Sequence, residues 1–161
     1  TVDSVKNAVK DTTQKVNRDD ILDADALLYR FKDMQHYYIL LIDDSKNDVE
    51  YVQKIVNDFD DKYYKDKNLK TTAQLFTLSD QMINVRKFAS IDEAMEYYNK
   101  ISQDSTFKTL NPTFYKHFII SIQNYATFYN KRNIDSYMKF FKLMYIKQEK
   151  SENDNWEMKS E

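Results

Sequence analysis

Apolar and polar positions along this chain switch between two periods, and the switches mark its elements. From Gln35 to Ile42 the sequence reads Gln-His-Tyr-Tyr-Ile-Leu-Leu-Ile and stops at Asp43-Asp44-Ser45. A β-rich apolar run bounded by turn formers predicts a central strand. Val49, Val52, Ile55, Val56 and Phe59 then recur at helical spacing and form the stripe of an amphipathic helix reaching about Tyr64. Ser45 is its expected N-cap, with Asp48 as the box partner. Thr71 to Leu78 and Gln81 to Phe88 predict a second and a third strand, joined by a turn at Ser79-Asp80. Ser90-Ile91-Asp92-Glu93 reads as a capping box that opens a second helix, with Ile91, Ala94, Met95, Tyr98 and Ile101 on its buried side. Beyond Asn111-Pro112, Tyr115 to Ser121 predicts a fourth strand.

The economical solution for this order is an α+β fold: a ferredoxin-like βαββαβ antiparallel sheet with two helices on one face. The first strand is apolar on both faces, with Tyr38, Leu40 and Ile42 on one and Tyr37, Ile39 and Leu41 on the other. Two crossover helices cover only one of them. After the fourth strand the chain turns helical again. Ser121 is placed to cap a helix carrying Tyr125, Phe128 and Tyr129. Asn133 is placed to cap another, with Tyr137, Phe140, Phe141, Met144 and Tyr145 on its buried side. These C-terminal helices are the nearest cover for the second face. Left uncovered, that face is a site for a partner, a second copy of the chain included. Tyr125, Phe128, Tyr129, Phe140 and Phe141 are therefore the candidate partner-binding residues.

The flanks differ in character. Residues 1–25 read as a polar linker or short helix, with Val2, Val5 and Val9 at helical spacing. Residues 26–147 read as a single domain, in which Leu27 to Phe31 form a short strand or a last helical turn. Residues 148–161 read as a charged tail carrying Trp156, a docking residue or an accident of sequence rather than a binding hot spot.

Composition narrows the chemistry. With 24 basic and 26 acidic residues, the chain lacks the concentrated positive charge that neutralises nucleic-acid phosphates. The absence of cysteine excludes disulfides, thiolate metal sites and thiol nucleophiles. The absence of glycine excludes the usual phosphate-cradling loops and dinucleotide fingerprints. No apolar run is long enough to span a bilayer, and Thr1 to Lys10 contain no signal-peptide core. An exported form would take its signal from a longer precursor.

The titratable residues point to caps and ion pairs. His36 and His117 fall at opposite ends of neighbouring antiparallel strands, roughly 15 Å apart at the rise of a strand, too far to share a metal. Asp58, Asp60 and Asp61 share their helix with Lys54 and Lys62 and read as a solvated ion-pair face. Asp43, Asp44, Asn47 and Asp48 lack the ligand alternation and the glycine of a calcium loop and are read as caps. RNA-binding domains share this element order, but the third strand, Gln-Met-Ile-Asn-Val-Arg-Lys-Phe, has no glycine and one aromatic ring where they place stacking rings. The expectation is a non-catalytic binding domain with no cofactor and no nucleic-acid partner.

Two stretches carry a resemblance. Val85 to Tyr98, where a strand ends in Phe88-Ala89-Ser90 and leads into a helix with Glu93-Ala94, is similar to the second half of SPOR domains. The glycines that precede that phenylalanine in SPOR domains are absent. SPOR domains have this fold and bind peptidoglycan glycan strands. A wider match runs from Leu28 to Tyr145 and takes in His36 to Leu41, Phe88 to Tyr98, Phe118 to Tyr125 and Tyr137 to Tyr145. It resembles the C-terminal domain of the tetratricopeptide-repeat lipoproteins of Bacteroidetes, the SprE/PorW family. That resemblance implies a periplasmic, outer-membrane-associated scaffold domain serving type nine secretion and gliding motility. Its implied partners are other envelope proteins, or peptidoglycan on the SPOR reading.

Overall fold

A computed structural model describes residues 22–147. The expected N-terminal helix or linker up to residue 21, and the charged tail with Trp156, lie outside them. The chain divides into two compact units, residues 30–134 and the pair of segments flanking them.

The larger unit runs β1 (His36–Asp43), α1 (Val49–Tyr63), β2 (Lys70–Leu75), β3 (Asp80–Phe88), α2 (Ile91–Ser102), β4 (Tyr115–Ser121) and α3 (Ile122–Lys131). All neighbouring strands are antiparallel, in the order β2-β3-β1-β4, which is the ferredoxin-like α+β fold that the element order predicts. β1 is central because its residues Tyr38 to Ile42 are buried on both sides. Its register sets the two faces. Tyr38 pairs with Ile119 and Val85, and Leu40 with His117 and Ile83, on one face; Ile39 pairs with Phe118 and Asn84 on the other.

The crossover helices cover the first face. α1 buries Val52, Ile55, Val56 and Phe59, and α2 buries Ala94, Met95, Tyr97 and Ile101. Tyr97 of α2 meets Tyr38 at 5.0 Å and Phe88 at 5.0 Å between ring centroids. Tyr97, and not Tyr98, is the fully buried ring of this helix, since Tyr98 is only half-buried. Both lie at helical spacing from Ala94 and Ile101, so periodicity alone does not rank them.

α3 covers the second face. Phe128 is fully buried, stacked on Phe76 at 4.9 Å and edge-on to Phe118 at 5.3 Å. Ser121 caps this helix as expected: its hydroxyl accepts from the Asn124 amide at 3.0 Å. The Asn124 side chain then ties the helix to the chain ahead of β1, donating to the Arg30 carbonyl at 2.7 Å and accepting from the Arg30 amide at 3.0 Å.

Three local expectations are corrected. The N-cap of α1 is Asp48, not Ser45: its Oδ1 accepts from the Glu50 and Tyr51 amides at 3.1 and 3.4 Å. Ser45 instead donates to Asp43 Oδ1 at 2.6 Å within the turn. β2 ends at Leu75 because the turn begins at Phe76, whose ring leaves the strand for α3. That turn spans residues 76–79, closed by the Phe76 and Thr77 amides on the Asp80 carbonyl at 2.9 and 3.2 Å. Without glycine a tight primed turn is costly, and the wider loop is the consequence.

In the smaller unit, Ala26–Leu28 form one 3-10 turn, and α4 (Ile134–Phe141) continues as a π-helical stretch, Lys142–Ile146. Asp23 joins the two segments. It accepts from the Ala26 amide at 2.9 Å and from the Ser136 hydroxyl at 2.7 Å, and pairs with Lys139 at 3.6 Å. These bonds, that to Ala26 first, hold its carboxyl below the usual range. Tyr29 packs edge-on to Tyr137 at 4.9 Å and against Phe140 at 5.6 Å; Phe141 lies 5.3 Å from Tyr145.

Phe128 is the wedge that fixes α3 on the sheet. Phe128→Ala is expected to cost about 3–5 kcal/mol, the usual loss for a buried phenylalanine. Urea unfolding read by circular dichroism measures it; a cost no larger than that of Tyr129→Ala would show that α3 is not anchored there.

Candidate functional site

Two groupings of chemistry-bearing side chains emerge, one on each side of the sheet. The first follows from the helical spacing of α3. With Phe128 turned to the sheet, Tyr125 and Tyr129 flank it at the rim. Tyr125 is half-buried and Tyr129 is 40% exposed. Their ring centroids are 6.0 Å apart. Tyr125 meets Tyr37 of β1 edge-on at 5.3 Å, and the Arg86 guanidinium of β3 lies 5.9 Å from the Tyr37 ring. At the other end, Arg132 lies 5.0 Å from the Tyr129 ring and 5.4 Å from Phe76, and donates to the Phe76 carbonyl. The result is a strip of three tyrosines, Tyr37, Tyr125 and Tyr129, with an exposed arginine at each end.

Polar groups line the floor of the strip. Asn84 is 4% exposed, and its Oδ1 has no hydrogen-bond partner among the described residues. Burial pushes the Tyr125 hydroxyl up, while Asn84, Arg86 and Gln74 beside it pull the other way. The strip can therefore offer rings for stacking, guanidinium groups for acceptors and amides for hydrogen bonds.

Of the residues singled out in the sequence, only Tyr125 and Tyr129 belong to this strip. Phe128 is core, and Phe140 and Phe141 are buried in the smaller unit. Sequence reasoning missed Arg86, Arg132 and Asn84. The available signal was position: Asn84 and Arg86 alternate onto the face of β3 opposite Val85, and Arg132 follows Tyr129 by three residues.

The second grouping lies beneath the crossover helices. Asp60 sits four residues after Val56 on the apolar stripe of α1 and is buried, not part of a solvated face. Tyr97 donates to its Oδ1 at 2.5 Å and Thr71 of β2 to its Oδ2 at 3.0 Å. Asp58 keeps the expected partner: Lys54 contacts it at 2.5 Å on the exposed side. Burial raises the Asp60 carboxyl to about 6 against the pull of both hydroxyls. The Tyr64 hydroxyl nearby is buried with no partner among the described residues, and is pushed up to about 12 mainly by burial. Tyr97 in turn touches Tyr38, whose hydroxyl lies 2.9 Å from Nδ1 of His117. Burial lowers His117 to about 4.

His117 stacks on Tyr98 at 4.3 Å. It pairs with Leu40, whereas His36 pairs with Ser121. The two imidazoles are thus held apart by the register, as the sequence implies. Among the described residues no three His, Asp or Glu side chains gather as a metal site. A hollow of about 190 Å³ opens beside Asp43, Asp80 and Lys116. Its two carboxylates are occupied by turn hydroxyls, Asp43 by Ser45 at 2.6 Å and Asp80 by Thr77 at 2.7 Å. No helix among the described residues is long and apolar enough to cross a membrane.

Comparison with protein-family models, with curated proteins and with solved structures gives no match to this chain.

Asp60 and His117 pull stability in opposite directions with pH. Asp60 titrates near 6 when folded, above the unfolded carboxyl at about 4, so its contribution is complete below about pH 4 and is lost as pH rises through 6. His117 titrates near 4 when folded, below the unfolded value of about 6.5, so its contribution is complete above 6.5 and is lost as pH falls towards 4. The two slopes offset each other between these limits. Asp60→Asn is expected to raise stability at pH 7.5 by up to about 2 kcal/mol, and to unmask a steady loss of stability from pH 6.5 to 4. Urea midpoints across pH 4–8 test this; a variant weaker than the parent at pH 7.5 would sink it.

Proposed function

We propose that this chain is a non-catalytic interaction domain of a cell-envelope scaffold protein serving secretion or gliding machinery, and that it docks other envelope proteins through the tyrosine–arginine strip. The observation that carries this reading is the disposition of the rings. Phe128 closes the core, while Tyr125 and Tyr129, on the same helix, are held at the surface between Arg86 and Arg132. Tyrosine and arginine are the residues that most often dominate binding energy at protein interfaces, because each combines a large contact area with directional polar groups. The envelope setting, including the periplasmic and outer-membrane-associated location, rests on the resemblance of Leu28 to Tyr145 to the SprE/PorW-type domain.

A second reading, peptidoglycan glycan binding of the SPOR type, draws on one observation. Rings and amides lie together at Tyr125, Asn84 and Gln74, a combination suited to sugar faces and hydroxyls. Against it, α3 packs across the sheet face on which such a groove would lie.

The test joins both readings. A photo-crosslinker placed at Tyr129 in the natural envelope is expected to capture one defined protein, with capture lost on Arg132→Ala or Tyr125→Ala. Each change should cost about 0.5–3 kcal/mol and leave the domain folded, which circular dichroism checks. Sedimentation of the chain with sacculi, rising after amidase treatment and falling in the same variants, would replace the scaffold reading with the glycan one. Absence of both signals would discard the strip as a docking site.

A further inference from the structure

The sheet has two edges, and they are finished differently. On β4, Phe118, Ile119, Ile120 and Ser121 are at most 1% exposed. On β2, the other edge, Ala73, Gln74 and Leu75 are exposed, Leu75 by 57%, and Leu78 just beyond is fully exposed. Past Lys70, β2 also lacks the charges, prolines and bulges that usually protect an edge. Thr71 to Ser79 contain no charge and no proline, and its six pairs with β3 run without a register shift.

The ladder shows which backbone groups of β2 face outward. The Phe76 amide donates to the Asp80 carbonyl, and the pairing of β2 with β3 keeps that register throughout. Antiparallel ladders alternate, so Gln74 and Thr72 also bond β3, while Thr71, Ala73 and Leu75 present their amides and carbonyls outward. The other side of β3 agrees: the Asp44 amide donates to the Ser79 carbonyl, placing odd-numbered β3 residues on β1.

We infer that β2 pairs with β2 of a second copy of this chain, antiparallel about a twofold axis at Ala73. In that register Thr71 faces Leu75 of the other copy, Ala73 faces its own equivalent, and Leu75 faces Thr71. Every outward amide and carbonyl of the three residues is then matched, in roughly six hydrogen bonds between the copies. The exposed Leu75 side chain, on the same sheet face as Thr71 and Ala73, is covered by the Thr71 of the partner strand. Charge favours a second copy over an unrelated strand. Lys70 pairs with Arg86 at one end of β2, and Asp80, one strand in on β3, stands at the other. An antiparallel twofold sets the basic end of each copy beside the acidic end of the other. The result is a continuous eight-stranded sheet, and it does not depend on the docking role of the tyrosine strip on α3.

Sedimentation of the 161-residue chain from micromolar to millimolar concentration, with amide hydrogen exchange at both ends of the range, tests the inference. The expected result is a doubling of mass with concentration, accompanied by new protection of the Thr71, Ala73 and Leu75 amides while Thr72 and Gln74 stay unchanged. Ala73→Pro removes one outward donor without losing a bond to β3, and Ala73→Lys sets two like charges across the axis. Each should keep the circular dichroism of the parent and weaken association at least about tenfold. A chain that stays monomeric at millimolar concentration overturns the inference, as does dimerisation that leaves these amides exchanging freely or that survives both substitutions.

Discussion

A central strand that is apolar on both faces is the constraint from which the rest of this fold follows. Tyr38, Leu40 and Ile42 look one way and Tyr37, Ile39 and Leu41 the other, and all but Tyr37 are buried. A βαββαβ unit supplies helices to one face only, so an unextended fold of this kind would leave the Ile39 side in water. α3 supplies the missing layer, and Phe128 does most of it, wedged between Phe76 and Phe118. The sheet is thereby a middle layer, and the amphipathic demand on α3 is asymmetric. One ring must go in, and the rings on either side of it stay at the rim. The tyrosine strip is thus a by-product of core closure before it is anything functional.

The same logic explains the buried polar pair on the other side. Two helices crossing an aromatic-rich sheet bring tyrosine hydroxyls into the interior, and each hydroxyl needs a partner. Asp60 serves Tyr97, and His117 serves Tyr38. Asp60 also reaches Thr71, so one carboxylate ties α1, α2 and the edge strand β2 together. A protonated carboxyl suits this site better than an ionised one, because the hydroxyls that favour the charge do not recover its full desolvation. Burial has the opposite effect on the imidazole, which it holds neutral. The domain therefore carries an acid and a base whose burial costs change in opposite directions over the same acidic range.

Much of the scaffold was legible in the sequence because its periods are clean. β4 and the Ser121 cap fall where alternation and capping chemistry place them, and α1 follows its stripe. What escaped was whatever depends on a long-range choice. Asp60 has the sequence neighbours of a surface acid, and its burial is made tolerable by Tyr97, thirty-seven residues away, and by Thr71 of β2. Tyr97 and Tyr98 are equivalent by spacing, and the sheet picks between them. Phe76 reads as strand until Phe128 draws it out of β2. The strip was half legible: the tyrosines of α3 are visible as a pattern, whereas Arg86, Asn84 and Tyr37 reach it only through strand register.

The absence of glycine shapes the strip as well. Helices commonly end on a left-handed residue, and glycine holds that position at no steric cost. In α3 the position falls to Arg132, at φ 55°, its amide bonded to the Phe128 carbonyl at 2.8 Å. An L-residue with a Cβ gives up about 1–2 kcal/mol there. Arg132 recovers part of it by donating to the Phe76 carbonyl and lying over the rings of Phe76 and Tyr129. A glycine would end the helix at lower cost and leave that end of the strip without its cation. The helix terminus thus does two jobs: it stops α3 where the turn between β2 and β3 begins, and it fixes a guanidinium beside the most exposed ring of the strip. Backbone geometry and surface chemistry meet in that one residue.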